Sequence, residues 1–439
     1  MTPEGTGRAL VVGGGYAGLV TARVLADRFD EVTVLEQDHV TAAPEHRRGT
    51  PQSRHPHALL ARGADLLEGL FPGLRAELRE AGAPVSDFGQ FPMLYPAGWS
   101  PRVRTGLALQ TFSRPLLEAA IRRRVLAHPR VRLLDRTRAE RVVLNDARDR
   151  VIGVRTTGDA LRPADLVVVT TGRNSRLPAG LSTAGLPAPD VLRVDGKLSY
   201  TSRVYRRDTA SPPDWQASLQ ATLAPTARRG GTVVALEDDR WLVCLFGADG
   251  QSAPTDPAGF AAYADSLANP HIKDVVTRAE PLGSIYRYGG LGGQWRRYDR
   301  IRPWPGGLAV LGDALCVLNP LYGHGMTVAV QQAVLLAREL DAHGPADACA
   351  RFQRRSARTL LLPWYLSTSL DLGWRPEGAS VQALLARRYL ARLLRRIPDD
   401  PELYRRFLAV QHMTASPLTL LVPSARGPSA RARRGGERS

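Results

Sequence analysis

Residues Arg8 to Asp38 read RALVVGGGYAGLVTARVLADRFDEVTVLEQD, and the order of residue types in this stretch decides the fold. Ala9 to Val12 form a short apolar strand, and Gly13, Gly15 and Gly18 then supply G-x-G-x-x-G at the start of a helical pattern. Val32 to Leu35 make a second strand that ends in Glu36. The first glycine permits the tight turn, the second lets the backbone approach a pyrophosphate, and the third lets the helix pack closely on the strand. The partial positive charge of the helix N-terminus faces the phosphates. Glu36 lies where a carboxylate accepts hydrogen bonds from an adenosine ribose, with Asp38 as the nearby alternative. A glycine cluster alone marks only a turn, but strand, turn, helix, second strand and terminal acid in one register predict a dinucleotide site. The acid disfavours a 2′-phosphate there, which leaves FAD or NAD.

Two later segments favour the flavin. Asp165 to Ser175, DLVVVTTGRNS, is a continuous apolar strand running into small residues and Gly172. Gly307 to Met326, GLAVLGDALCVLNPLYGHGM, is another buried strand, ending at Gly312-Asp313 and leading into a helix from about Met326 to Leu340. An Asp after a strand-ending glycine can accept hydrogen bonds from a ribityl hydroxyl, and glycines at a helix N-terminus bring backbone N–H groups to the isoalloxazine edge.

Composition narrows the class. The 439 residues carry a net charge of +17, and all of the 59 basic residues except Lys197 and Lys273 are arginine, which reads as a coding preference. Arginines are scattered over helical segments without the interleaved aromatics of a base-stacking surface, so no nucleic-acid partner is expected. Residues 424–439 form an Arg-rich segment without apolar periodicity, read as a disordered basic tail. Cys244, Cys316 and Cys349 have neither disulfide-framework nor metal-knuckle spacing, which fits a reducing compartment. The N-terminus lacks the apolar run of a secretory signal, and no stretch approaches a spanning helix. The expectation is a cytoplasmic protein without integral membrane contact. His55 and His57 lack a third ligand at a recognisable spacing, so no metal site is expected.

GGGYAG with Glu36, DLVVVTTGRNS and GDALCVLNPLYGHGM together resemble the FAD-dependent aromatic-hydroxylase-like (group A) monooxygenases. Gly49 to Gly63, GTPQSRHPHALLARG, narrows the resemblance to the flavin epoxidases of polyether-ionophore biosynthesis, of the lasalocid and monensin type. The resemblance implies that Gly13, Gly15, Gly18 and Glu36 hold the adenosine diphosphate end. It also implies that Arg47, Arg48 and Gly49 form a basic loop near the flavin, and that Arg114, in FSRPLLEAAIRRRV, contacts FAD. Gly172 ends the middle motif, Gly312 and Asp313 match the ribityl contact, and Gly323, Gly325 and Met326 match the loop beside the ring. Two departures stand out: Val169-Thr170-Thr171-Gly172 lacks the acid many relatives carry, and Leu318 replaces an aromatic before Asn319.

The implied activity is epoxidation of an alkene in a lipophilic, polyketide-type intermediate of antibiotic biosynthesis, by way of a flavin C4a-hydroperoxide. Aromatic hydroxylation and a redox-neutral FAD-bound cyclisation are the alternatives on the same fold. Electrons would come from NAD(P)H or a separate flavin reductase, because no second G-x-G-x-x-G follows a strand. His57 and His324, with His55, are the candidates for proton management.

The fold class expected is α/β: a Rossmann-like FAD-binding domain with an inserted mixed β-sheet substrate domain and a C-terminal helical region. The FAD-binding parts are placed at 1–90, 108–185 and 301–345. The substrate domain takes 91–107 and 186–300, a helical cap 346–423, and the tail 424–439. Ser199 to Arg206, Thr232 to Leu236 and Trp241 to Phe246 alternate as strands. Tyr200, Trp215, Trp241, Phe246 and Tyr286 are candidates to line an apolar pocket. Trp364, Tyr365, Trp374 and Tyr404 would serve a cap broken at Pro363, Pro376, Pro398 and Pro417.

Overall fold

A computed structural model of the chain describes residues 7–374 and 381–422. The basic tail and Pro376 lie outside them. Five parallel strands form the central sheet in the order Leu308–Val310, Leu166–Val169, Arg8–Val12, Glu31–Leu35, Val131–Leu134. Val11, Val32, Val34, Val167, Val168 and Leu308 are completely buried, as a parallel sheet covered on both faces requires. The helix Tyr16–Ala26 packs on the sheet and against the helix Arg114–Leu126 and the long helix His324–Asp371. Leu19, Ala22 and Leu25 on it are wholly buried, so its amphipathic pattern is replaced by burial nearly all round.

A second, seven-stranded sheet has the order Pro281–Tyr288, Ser199–Arg206, Arg240–Gly247, Arg229–Leu236, Ala217–Gln220, Met93–Tyr95, Gly98–Trp99. Its central strands are antiparallel. The Arg229–Leu236 and Arg240–Gly247 hairpin turns through the three residues Glu237 to Asp239, and the positive φ of Asp238 and Asp239 (56° and 49°) lets so short a loop reverse the chain. The short strand Met93–Tyr95 joins in parallel, so a segment distant in sequence completes the sheet edge.

The helical region differs from the sequence expectation. Pro363 sits inside the helix His324–Asp371 and does not end it; the bend falls at Gly344, whose φ of 66° and ψ of 170° interrupt the helical path just before Pro345. The left-handed φ suits glycine, and a proline after it cannot donate to the preceding turn, so this pair and not Pro363 sets the change of direction. Pro398 lies in a single 3₁₀ turn and Pro417 opens another, both at helix boundaries as expected. The helices Val381–Arg396 and Pro401–Gln411 place Leu390, Leu394 and Tyr404 against Met93 and Tyr95 in a separate apolar cluster.

Candidate functional site

The glycine turn is tightly constrained. Gly13 has φ 108°, and a Cβ there would lie 2.9 Å from the Thr170 carbonyl oxygen. A Cβ on Gly18 would overlap the Gly13 carbonyl oxygen, so the helix can sit this close only with glycine. A Cβ on Gly15 would meet nothing within 4 Å. The turn therefore opens on free space where a diphosphate belongs. Thr170 explains the departure from the acid seen in relatives: its hydroxyl lies 2.9 Å from the Val12 carbonyl and 3.0 Å from that of Gly13, tying the middle motif to the turn.

Three buried charged side chains, Glu36, Arg47 and Glu118, and the partly buried Arg114 lie beside this turn. Glu36 accepts from the N–H of Gly14 at 2.9 Å and of Asp38 at 3.0 Å. Arg47 reaches Glu36 at 3.0 Å and Glu118 at 2.9 Å, and Arg114 donates to Glu118 at 2.6 Å. Glu118 also accepts from the Tyr16 N–H at the helix N-terminus, at 3.3 Å. Burial pushes the Glu118 carboxyl up, but Arg114 and Arg47 overcome it and hold the group below the usual carboxylate range. Arg47 Nη1 is the atom paired with Glu36 and Nη2 the one paired with Glu118, so the guanidinium bridges the two buried carboxylates beside the turn.

Arg48 is exposed and turned from the cluster, as is Gly49, so only Arg47 of the basic loop faces inward. Asp38 accepts from the Gly49 N–H at 2.6 Å and fastens the loop, while Glu36 adjoins the turn. The sequence reading missed Glu118. Its only signal was its position four residues after Arg114, the i,i+4 spacing of an ion pair.

The other two motifs converge on the same region. Gly172 (φ 74°) and Gly325 each face open space, while Gly312 (φ 62°) gives its N–H to Gln332 at 2.8 Å. Asp313 is partly accessible; burial pushes its carboxyl up, opposed by Arg173, Arg114 and Arg296, so it lies within electrostatic reach of the arginines of both the middle motif and the glycine-turn cluster. Arg296, also missed from the sequence, donates to the carbonyls of Ala314 at 3.0 Å and Arg173 at 2.6 Å and so joins the two motifs. Gly323 (φ 69°) caps the long helix, and Met326 packs into the main core beneath it. The open faces at Gly15, Gly172 and Gly325, with the Arg47 and Arg114 guanidiniums beside the turn, fit an extended dinucleotide.

The three candidate histidines are held neutral by burial. His55 pairs with the Ser202 hydroxyl at 2.8 Å and stacks on Tyr288, and desolvation with Arg54 nearby lowers its pKa to about 4. His57 donates from Nδ1 to the His55 carbonyl at 2.8 Å, so Nε2 keeps its lone pair; burial and Arg114 push it to about 3. His324 is fully buried beside Tyr322, with a pKa lowered to about 4 by desolvation. At neutral pH these groups can accept a hydrogen bond or relay a proton, and they supply no standing charge. Among the described residues no group of three or more His, Cys, Asp or Glu could hold a metal ion.

Next to this region lies a largely apolar cavity with about 870 Å³ of atom-free space, part of it open to solvent. Met93, Tyr95 and Phe246 from the second sheet, Tyr322 and His324 from the glycine loop, and Phe407 from the C-terminal helices contribute to its wall. Of the five aromatics expected to line a pocket, only Phe246 does so. Trp215 and Trp241 stack on each other at 5.0 Å in a separate cluster under the helices Pro257–Asp265 and Pro270–Arg278. Tyr286 is exposed and covered by the Arg54 guanidinium, and Tyr200 sits behind Phe246. The aromatics expected in the cap also serve other places: Trp364 packs in the main core and Tyr404 against Met93, while Tyr365 is exposed. Trp374 packs at the edge of the Tyr200 cluster.

The geometry has solved counterparts. PqsL from Pseudomonas aeruginosa, described as a probable FAD-dependent monooxygenase, superposes with a TM-score of 0.63 at 16% identity, over 93% of this chain and 99% of that one. The flavin-dependent brominase Bmp2 gives 0.64 at 16%, over 93% and 99%. 2-Methyl-3-hydroxypyridine-5-carboxylic acid oxygenase gives 0.59 at 19%, over 88% and 96%. The fold is thus that of the FAD-dependent monooxygenases. The squalene epoxidase family model matches residues 301–349, the stretch carrying Gly312-Asp313 and the glycine loop. Protein Rv3254 of Mycobacterium tuberculosis strain H37Rv is 32% identical over 405 residues, 84% of each chain, and this chain belongs to its family.

Proposed function

We propose that the protein is an FAD-dependent monooxygenase that transfers one oxygen atom from O₂ to an alkene of a lipophilic substrate, leaving an epoxide. The observation that carries this reading is the apolar cavity walled by the glycine loop, with Gly325 open beside it. When bound, FAD supplies the activation of oxygen. The glycine turn, Arg47 and Arg114 would hold its diphosphate, Glu36 its ribose, and Gly312 and Asp313 its ribityl chain. Gly172 and Gly325 leave room for the ring, and Gly323 turns the chain into the helix beside it.

The rest of the chain binds the substrate, orients it and excludes water. Met93, Phe246, Leu390 and Phe407 provide a surface for a hydrocarbon chain and almost no hydrogen bonds to compete with it. His324, neutral and buried in the wall, accepts or donates one hydrogen bond at its ring without bringing a charge into the cavity. The match of residues 301–349 to squalene epoxidase supports an alkene over an aromatic ring, and a polyketide-type polyene is the substrate class we favour. Electrons come from NAD(P)H or from a separate flavin reductase. We place the enzyme in the cytoplasm, without a nucleic-acid partner. Among the described residues no helix is long and apolar enough to cross a membrane.

The test is oxygen uptake by the FAD-loaded protein with NADPH, or with a flavin reductase and NADH, in the presence of linear polyenes including squalene. Polyene-dependent uptake with a product heavier by one oxygen is expected. The same product mass as substrate, formed equally well without oxygen, would replace this reading by the redox-neutral cyclase.

A further inference from the structure

Asp371, at the last turn of the long helix, is 7% exposed and yet makes no ion pair among the described residues. Its Oδ1 accepts from Asn319 Nδ2 at 2.7 Å, and Asn319, itself 1% exposed, uses its own Oδ1 to accept from the Leu321 N–H at 3.0 Å. The carboxyl therefore grips the turn Pro320–Tyr322, which leads through Gly323 to His324; Tyr322 and His324 are both in the cavity wall. Behind it stands Gly196, where a Cβ would come within 3.2 Å of Oδ1. The charge of Asp371 acts on Tyr200 and Tyr322, and that of Asp195, on the loop before the strand Ser199–Arg206, acts on Asp371. The Tyr200 hydroxyl is buried and makes no hydrogen bond.

An asparagine or leucine would fill this place without the cost of a buried acid, and a buried acid beside a pocket is the kind of group that serves a site. We propose that Asp371 is a positioning residue whose proton sets the Asn319–His324 turn: the neutral acid leaves Tyr322 and Tyr200 free, and the carboxylate draws a hydroxyl donor toward itself and tightens the turn. The proton passes to and from solvent. This rests on the reading of the cavity as the oxygenation pocket, which the two arms of the test separate from it.

Burial raises the Asp371 carboxyl to about 7, the Asn319 hydrogen bond pulls against it, and Asp195 adds to the rise. The buried histidines His55, His57, His324 and His412 are pushed to about 4, 3, 4 and 4, so they do not change charge near pH 7. A carboxyl whose folded pKa is raised favours the fold below its unfolded value of about 4 and loses that contribution as pH rises to about 7.

The experiment compares the full chain with Asp371→Asn. First, the thermal midpoint of the variant minus that of the wild type should climb between pH 4 and 7 and level off above. Second, amide hydrogen exchange of residues 319–326, corrected for the intrinsic pH effect, should slow about tenfold through pH 7 in the wild type and stay flat in the variant. Asn319→Ala, which keeps the acid and removes its donor, should move the wild-type transition upward by about one pH unit and serves if Asp371→Asn does not fold. A flat midpoint difference, exchange that ignores pH, or an unmoved transition in Asn319→Ala overturns the proposal. Neither measurement uses flavin, so a protein that shows the transition but binds no FAD would sink the oxygenase reading alone.

Discussion

Arg47→Met should lose about 3–5 kcal/mol of stability and weaken FAD binding at least 100-fold. Arg47 is the cation between two buried carboxylates, Glu36 and Glu118, which are 7% and 4% exposed. Methionine keeps the apolar stem and removes the charge. Arg114 still pairs with Glu118 at 2.6 Å, but Glu36 keeps only the two backbone N–H groups of Gly14 and Asp38. Uncompensated buried charge is the costly case, more costly than the pair is valuable. The loss carries a pH signature. Glu118 is held below the ordinary carboxylate range, so its contribution is present above the unfolded pKa of about 4 and disappears as pH falls through its depressed folded value. The variant should therefore show a shallower acid-side decline than the wild type. Chemical denaturation at several pH values and flavin fluorescence titration check both parts; a variant with wild-type stability would mean that the carboxylates find other partners.

Gly18→Ala should have the second largest effect, giving a protein that is insoluble or purifies without flavin. The added methyl would overlap the Gly13 carbonyl oxygen and approach the Thr170 hydroxyl at 2.9 Å. Neither neighbour can give way. The Gly13 N–H is bonded to the Leu35 carbonyl at 2.8 Å, and the Thr170 N–H to that of Val12 at 2.9 Å, so moving either breaks the strand pairing. The helix would have to lift off the sheet and take the first-turn N–H groups with it. Soluble Gly18→Ala with unchanged flavin content would show that the turn does not clamp the diphosphate.

How much of this was legible depends on how local each constraint is. The glycine turn and Glu36 were readable because steric need and the strand end fix them within 30 residues. The choice between Arg47 and Arg48 was not, since the loop has no periodicity to say which side chain faces inward. Glu118 was not singled out because nothing in Leu116 to Arg124 says that the N-terminus of another helix lies over it. The pocket aromatics failed for a different reason. Strand alternation assigns Trp241 to one face and Phe246 to the other, but only the placement of the helices Pro257–Asp265 and Pro270–Arg278 tells which face is covered. Asp371 was invisible, since its partner Asn319 lies 52 residues away across the long helix.

The measurement that bears most directly on the account is titration of the full-length protein, freed of any flavin it carries, with FAD. One FAD per chain with quenched fluorescence and a raised thermal midpoint is the expected result. Failure to bind FAD at micromolar concentration, with the fold intact by circular dichroism, would contradict it.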